Sequence, residues 1–563
     1  MGGKSQAKLF SEESIEVKEK RCKKRRKIVF KPYSQKQEFL LPKNIDDYIG
    51  PGHIARLVSA IIDKMDIEFI IETYKGGGTS SYDPKMMLKC WILAFIYRIY
   101  SCRLLAKNIR ENLAFIWISG NQTPDFHTLN NFRLRLKDDI KLIFKEIVLQ
   151  GIKAGIIEGK DIFVDHTKTE ANANRHKIVW KKQVEKQSAK IDEELDELFE
   201  YIDKINDDEE QIFGSKDLPE QERNNFDENK VQEIIDNVNE NVKEGKITKE
   251  EGREQRKKVR RTKELLERKE NYQKKKEILI ERNSFSKTDH DAIAMMMKDK
   301  LIKPAYNEGI AVENGLVLNY IIDDHCGDSV SFIPLMDGVV ENIGKKPENV
   351  NTDGAYGNEE NHAYLEEKEI GNYLKFNLYH KEKSKKWREE KFRLNDFTYD
   401  EKKDEFICKN NVKLKFTEER ERLTKTGYIQ KSKKYKAPEN ACVNCAFRDK
   451  CTDSNARGLH VSWNAERLKD KARENLNSEK GEELRKRRGN EVESVFGDQK
   501  LNKLKKRYHL RGLKKVNVEA GLYYISHNIR RMHKLIEEER KSEEKIIENK
   551  FEKMIDGLKF SYN

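Results

Sequence analysis

Apolar residues are scarce in this chain. Only 36% of its 563 residues are hydrophobic, while 37% are charged. Globular domains usually carry about 25% charged residues. A chain this long can still bury a sizeable core and divide into two or three domains. Much of it must nevertheless be exposed, or helical without a core of its own. Long apolar runs are also missing. The most apolar stretch, Met86 to Tyr100, is interrupted by Lys89 and Arg98 and is too short to span a bilayer. The polar, basic N-terminus lacks the apolar centre of a signal peptide. The eight cysteines do not make a secreted disulfide frame. Cys22, Cys90, Cys102 and Cys326 are isolated, and the other four bunch between Cys408 and Cys451. A reducing cytosol is the simpler setting. These absences predict a soluble, cytoplasmic protein with no membrane partner. Internal repeats are absent as well.

Charge of both signs is plentiful, with a surplus of +13 and a pI near 9.0. A basic surplus suits a nucleic-acid partner better than a small-molecule substrate. Composition alone fits a lysine-rich soluble protein equally well. Residues 1–34 hold a basic run, Lys18 to Lys31, which reads as a tail. From Ile45 to about Gly151 the pattern is helical, with Asp46-Asp47 and Asp83-Pro84 as helix starts. Leu88, Trp91, Ile92, Phe95, Ile96 and Ile99 predict one buried helix face. Pro124-Asp125 opens another helix. Ile191, Leu195, Leu198, Ile202 and Ile205 alternate spacings of four and three, a coiled-coil seam in a charged segment. With a turn at Gly214 to Pro219 and a return from Val231 to about Ile280, residues 181–283 read as an antiparallel helical hairpin. That seam could pair within one chain or between two.

Removing residues 181–283 and the cysteine-bearing segment 380–465 leaves alternating strands and helices, an α/β core. Ile162-Phe163-Val164 form a strand ending in Asp165. Strands follow at Ile310 to Val312 and at Val317 to Ile322. Val350 precedes Asp353, a helix spans Asn358 to Lys368, and another strand spans Tyr373 to Phe376. A late helix carries Glu493. Phosphodiester chemistry with two metal ions needs hard oxygen ligands converging from several elements. Carboxylates at strand ends suit that role, because open α/β sheets bind ligands there. An aspartate after a strand is also a common turn or cap residue.

Three runs carry more information. Asp165 opens Asp165-His166-Thr167-Lys168-Thr169-Glu170-Ala171-Asn172-Ala173-Asn174-Arg175. Asp353 opens Asp353-Gly354-Ala355-Tyr356-Gly357-Asn358-Glu359-Glu360-Asn361. Glu493 lies in Arg487-Arg488-Gly489-Asn490-Glu491-Val492-Glu493-Ser494-Val495-Phe496-Gly497-Asp498-Gln499-Lys500. Here the chain resembles the DDE transposases of bacterial insertion sequences, in the branch with a long helical insertion and a cysteine cluster. Ser81-Tyr82-Asp83-Pro84, Ser101-Cys102-Arg103, Pro124-Asp125-Phe126-His127-Thr128 and Ser526-His527-Asn528-Ile529 are similar to that family too. The resemblance spans roughly residues 35–540, with the motifs in matching order.

The resemblance implies an RNase H-like catalytic domain over 153–540, interrupted by the helical insertion 181–283 and the cysteine insertion 380–465. It implies an all-α DNA-binding domain over 35–152 and a charged C-terminal helix or tail over 541–563. Asp165, Asp353 and Glu493 would be the catalytic carboxylates and would hold two Mg²⁺ or Mn²⁺ ions. Water would attack a phosphodiester at the element's end, and the freed 3′-hydroxyl would attack target DNA. No nucleophilic Ser or Tyr is expected. Double-stranded DNA, a homodimer on DNA, and the bacterial nucleoid follow as partners and place. A catalytically inactive or domesticated DNA-binding relative is the alternative, and a coiled-coil scaffold is a third reading. Two departures stand out. The family usually has Gly after the first Asp, where this chain has His166. The family's Arg position before the Glu is Gly489, with Arg488 one residue off. Glu491 competes with Glu493, which is preferred because Phe496, Gly497 and Lys500 set the register.

Basic and aromatic groups offer phosphate and base contacts: Arg175, Lys177, Trp180, Lys181 and Lys182 after the first Asp, and Arg488, Lys500 and Arg507 around the Glu. Trp180 reads more readily as an anchor packing the insertion on the core. Cys442, Cys445 and Cys451, with Cys408 upstream, offer four thiolates to a structural Zn²⁺. The plainer reading is a group of reduced cysteines in a small subdomain.

Overall fold

The computed structural model describes residues 44–74, 80–213, 228–424 and 426–559. The basic run Lys18 to Lys31, Cys22 and the expected turn Gly214 to Pro219 lie outside the described residues. Residues 44–48, at the end of a separate unit, form a 3₁₀ turn, Ile45–Tyr48. Asp46 and Asp47 sit inside that turn and cap no helix. Gly50, Pro51 and Gly52 delay the helix, which runs over Ile54–Lys64 and is capped by the His53 ring. Asp83 and Pro84 do open a helix, Pro84–Ile96. The Asp83 carboxylate accepts from the Met86 amide, and Pro84 fills the first turn, where its missing N–H costs nothing. The expected single buried face is too narrow a description. Every residue from Met86 to Ile96 except Lys89 is buried, because the helices Ile54–Lys64, Cys102–Glu111, Leu113–Ile118, Phe126–Arg135 and Leu513–Lys559 all pack against it. A helix apolar all round belongs at the centre of its bundle. Ile99 lies beyond its end. Asp125 caps Phe126–Arg135 through the Thr128 amide.

Eight strands follow in the middle of the chain: β1 (Asp161–Glu170), β2 (Ile178–Trp180), β3 (Ser284–Ser286), β4 (Ile293–Met296), β5 (Ile302–Glu313), β6 (Leu316–Asp323), β7 (Asn349–Thr352) and β8 (Gly371–Leu374). Six of them form one mixed sheet in the order β8-β7-β1-β5, with β6 and β4 sharing the far edge of β5. β1 is parallel to β7 and antiparallel to β5, and β7 is parallel to β8. The entry to β1 is held by Glu313, whose buried carboxylate accepts from the amides of Glu158, Gly159 and Lys160. β1 does not end at Asp165 as expected, but runs on to Glu170. Its later polar residues, Thr167 and Thr169, are buried beneath other elements and find partners there, so polarity did not mark an end. β8 sits slightly earlier than the expected Tyr373 to Phe376, because Gly371 pairs with Asn349. Helix Phe332–Ile343 covers one face of the sheet, anchored by Asn319 and Asn342 amides that donate to Leu335 and Leu318 carbonyls. The long helix Leu513–Lys559 covers the other. Its Asn528 accepts from the Val317 amide and donates to the Val317 carbonyl, so the Ser526-His527-Asn528 motif locks helix to sheet.

Between β2 and β3 lie three helices, Lys181–Phe213, Glu228–Lys243 and Lys249–Ile278. The expected single returning helix is broken by left-handed Gly245 and restarted by a Thr248–Glu251 capping box. Ile191, Leu195 and Phe199 are buried against Leu265 of the same chain, with Leu198 beside them. This part of the seam is therefore filled within the chain. The side chains of Ile202 and Ile205 lie outside the described residues. Residues 380–465 hold a second sheet that the sequence reading did not foresee: β9 (Thr398–Asp400), β10 (Glu405–Ile407), β11 (Lys413–Leu423), β12 (Ile429–Lys436) and β13 (Gly458–Val461), in the order β13-β12-β11-β10-β9. Its small core is built on Phe397, Phe406, Leu414, Tyr435 and Leu459. In β12 only Tyr435 is buried, so no alternating apolar pattern announces the strand.

His362, on the helix Glu359–Glu367 beside β8, is buried against Asn372, and burial pulls its ring from 6.5 down to about 4. Between those values the unfolded chain binds a proton that the folded chain refuses. Stability is complete above pH 6.5 and falls as pH drops towards 4, by about 3 kcal/mol in all. In melting curves across that window, His362→Gln is expected to lose less stability on acidification than the parent chain.

Candidate active site

The sheet register decides which carboxylates meet. Along the parallel pair, Asp161 lies opposite Asn349, Ile162 opposite Val350 and Phe163 opposite Asn351. Continued by two residues, the same register brings Asp353 alongside Asp165. β7 stops at Thr352, while β1 continues beside β5. A crevice therefore opens at the end of β7, the kind of place where open α/β sheets hold ligands. Asp353 turns away in an Asx-type loop, its carboxylate accepting from the Ala355 amide. The loop then presses Gly357 onto the backbone of Lys375 and Phe376. A Cβ at Gly357 would stand 2.3 Å from the Lys375 carbonyl oxygen, so a side chain there would push the loop away.

A helical segment, Glu479–Arg488 continuing through Asn502, crosses over the crevice. Two contacts fix it. Asp161 accepts from Lys480 at 3.0 Å and Arg487 at 2.7 Å. Burial pushes the Asp161 carboxyl up, but Asn349, Lys480 and Arg487 outweigh it and hold it low. Glu491 accepts from the Gly315 amide at 2.7 Å, which ties the segment to the β5–β6 turn. Glu491 is thereby occupied in holding structure. Glu493 is exposed, in a π-helical turn, Gly489–Glu493. Such turns widen the spacing of side chains and recur at functional sites.

Arg488 enters the crevice from this segment. Its Nη2 lies 3.2 Å from Asp165 and 3.9 Å from Asp353. Burial raises the Asp165 carboxyl above its ordinary range; Arg488 opposes the rise and the like charge of Asp353 adds to it. Lys500 reaches the same strand, donating to the Thr167 hydroxyl and to the Lys168 carbonyl at 3.2 Å. Lys375, just past β8, is half-buried, and burial together with Arg488 and Arg485 depresses its ammonium. Lys375 escaped the sequence reading, although its place beyond the strand next to β7 was a usable signal. Tyr356 escaped it too. It is fully buried, its hydroxyl meets the His166 ring, and burial with the charges of Asp165, Asp328 and Asp353 raises its phenol.

The His166 departure has a structural counterpart. His166 points to the opposite face from Asp165 and lies across from Gly309 on β5. A Cβ at Gly309 would stand 2.3 Å from its ring. A missing side chain on one strand thus makes room for the large one on its neighbour.

The other expected DNA-contacting residues divide. Arg175, Lys177, Trp180 and Lys182 are exposed near β2. Trp180 is 40% exposed, and the packing anchor of the insertion is its neighbour Val179, with Val184, Leu279 and Phe285. Lys181 donates to the Ile280 carbonyl at the base of the insertion. Arg507 is spent on the Ala171 and Ala173 carbonyls. The basic run around it is not one solvated face: Lys503 is buried against the Ile96 carbonyl, and Lys505 is fully buried beside Glu308. Cys408, Cys442, Cys445 and Cys451 line one small apolar cavity of about 20 Å³. The Sγ atoms of Cys408 and Cys442 each accept a backbone N–H, from Val412 and Arg457. Among the described residues, no three His, Cys, Asp or Glu side chains stand close enough to hold a metal ion. Nor, among them, is any helix long and apolar enough to cross a membrane.

Two segments of the chain match known families. Residues 407–533 match the family described as a transposase DDE domain, and residues 43–135 match a transposase domain, DUF772. Comparison with curated proteins and with solved structures gave no match. The first match takes in Arg488, Glu493 and Lys500, and the second takes in the N-terminal helices. Asp165 and Asp353 lie between the two. The chain therefore carries two transposase-type segments on a mixed α/β fold.

Gly309→Ala is expected to cost about 1–3 kcal/mol, because the new methyl group meets the His166 ring. Adding His166→Gly should recover much of that loss. Urea unfolding of both single variants and the double variant would check the coupling; additive losses would refute it.

Proposed function

We propose that this protein is a DDE transposase that cleaves DNA at the ends of an insertion sequence and joins them to target DNA. The observation that carries this reading is the pairing of Asp165 with Asp353 beneath the segment that bears Glu493, in a chain whose flanking parts match transposase families. The strand order and directions of the main sheet support an RNase H-like core within 153–540, carrying the insertions 181–283 and 380–465. The helices of 35–152 would supply DNA binding, with 541–563 as a charged C-terminal helix or tail. A homodimer on double-stranded DNA and a place at the bacterial nucleoid belong to the same reading.

Asp165 and Asp353 fit a divalent cation by donor type: hard oxygens near one another, sharing one guanidinium nitrogen of Arg488. Glu493, exposed on the overlying segment, would complete the set. Held there, two Mg²⁺ or Mn²⁺ ions would neutralise charge on the attacking and leaving oxygens. The protein's own groups do the rest. The β1–β7 register sets the spacing of the aspartates, Asp161 and Glu491 hold the segment down, and Arg488, Lys375 and Lys500 bring positive charge to a phosphate backbone. Exposed Arg175, Lys177, Trp180 and Lys182 give DNA a further contact surface.

Asp165→Asn, Asp353→Asn and Glu493→Gln should each eliminate metal-dependent cleavage of DNA carrying the sequences that flank the coding region, with DNA binding retained in a gel-shift assay. Glu491→Gln should keep cleavage and lower stability by about 0.5–1.5 kcal/mol, because the neutral amide gives up the ion pair with Arg487 and keeps only a neutral hydrogen bond to the Gly315 amide. Cleavage surviving in Glu493→Gln but lost in Glu491→Gln would reverse their roles.

The same reading includes a structural Zn²⁺ at the cysteine pocket: the four thiols line one cavity and would have to draw closer together to share an ion. Four thiols around one apolar cavity, two of them already accepting N–H bonds, are a suitable donor set for a subdomain with so small a core. Elemental analysis should find one zinc per chain, lost in Cys442→Ser/Cys445→Ser with a lower melting temperature. A zinc-free parent chain whose melting ignores chelators would leave the four as packed thiols.

A further inference from the structure

We propose that Arg488 is a stand-in cation, bridging Asp165 and Asp353 in the metal-free chain and released to a DNA phosphate when metal binds there, so that divalent metal and DNA bind cooperatively. This rests on the reading of Asp165 and Asp353 as metal-holding carboxylates.

The geometry of Arg488 differs from that of its neighbours. A structural arginine spends its donors. Arg507 reaches the Ala171 and Ala173 carbonyls through Nε and Nη2. Arg487 pairs with Asp161, Glu483 and Glu491. Arg488 instead places one nitrogen between two carboxylates, at 3.2 and 3.9 Å. Its Nε is buried and has no hydrogen-bond partner among the described residues. Guanidinium carries five N–H donors, so this one is held by charge more than by a full set of bonds. Little hydrogen bonding is lost when it moves.

Its position also sets a conflict. Two carboxylates this close repel each other, and a cation must sit near both. Arg488 supplies that charge now, with Lys375 close by. A divalent ion arriving at the same oxygens would meet the guanidinium as a like charge, in a half-buried crevice where screening is weak. One of the two cations must leave the carboxylates. The arginine has somewhere to go, because a DNA backbone crossing the crevice offers phosphate oxygens, which guanidinium binds well. The departure of Arg488 then serves both ligands. By linkage, metal must tighten DNA binding by the same factor as DNA tightens metal binding.

The test uses the full-length protein. Mn²⁺ binding is measured by calorimetry without DNA, and DNA binding by anisotropy of a labelled mixed-sequence duplex in Ca²⁺ or in EDTA. Arg488→Gln should bind Mn²⁺ roughly tenfold more tightly than the parent chain, and Arg488→Met should do the same, which guards against a fold defect in either one. Ca²⁺ should tighten DNA binding in the parent chain and much less in both variants. Mn²⁺ affinity unchanged or weakened in both variants, with binding lost in Asp353→Asn, would overturn the stand-in role and leave the carboxylate site standing. Mn²⁺ binding indifferent to Asp165→Asn and Asp353→Asn would overturn both.

Discussion

Two carboxylates forced side by side in a half-buried crevice are the constraint around which this structure is arranged. The parallel register of β1 and β7, with Phe163 opposite Asn351, carries Asp165 and the first residue past β7, Asp353, to the same guanidinium. Like charges in low dielectric cannot both ionise without a cation at hand. The positive groups gathered nearby, Arg488 first and then Lys375 and Lys500, answer that demand. So does the overlying helical segment, which is bolted to Asp161 and Gly315 so that it can present Arg488 on one side and Glu493 on another.

Other carboxylates of the same sheet show what a satisfied one looks like. Glu313 takes three backbone amides. Glu308 is fully buried, which would push its carboxyl up, yet Lys505, Thr169, Gln499 and Tyr524 together hold it below its ordinary range. Asp498 is likewise pulled low, against its burial, by His527 and Arg530. A buried carboxylate with a full set of donors is a structural rivet, because losing any donor leaves an uncompensated charge. Asp165 lacks that full set, and its carboxyl rises. The difference between the two kinds lies in the donors around them and not in burial alone. It also revises the meaning of the chain's high charge, since part of it, including Lys503 and Lys505, is internal wiring and not solvated surface.

Much of the plan was legible in the residues. Asp83-Pro84 and Asp125 announced helix starts because capping is local chemistry. Ile162-Phe163-Val164 announced a buried strand because three consecutive apolar side chains need cover on both faces. The Ile191, Leu195, Leu198 spacing announced a helical seam. Local rules failed where neighbours decided. The first strand reads as ending in Asp165, yet Thr167 and Thr169 beyond it are buried and partnered. The lysine-rich β12 shows no apolar alternation, because a strand in a small sheet with one buried residue does not need it. Arg507 reads as a phosphate ligand, and in the fold it clamps the Ala171 and Ala173 carbonyls. His166 looked like a misfit until Gly309 was seen across from it.

The sequence by itself determined several helix starts, the buried strand before Asp165 and the order of the carboxylates along the chain, and it carried the resemblance on which their proposed chemistry rests, since periodicity, caps and motifs are properties of neighbouring residues. Only the tertiary structure decided that Asp165 sits within a strand beside Asp353, that Glu491 is tied down while Glu493 is exposed, and that Arg488 bridges the two aspartates. Those outcomes depend on strand register and on a helical segment laid across the sheet. Both are set by contacts between residues hundreds of positions apart, which no local pattern encodes.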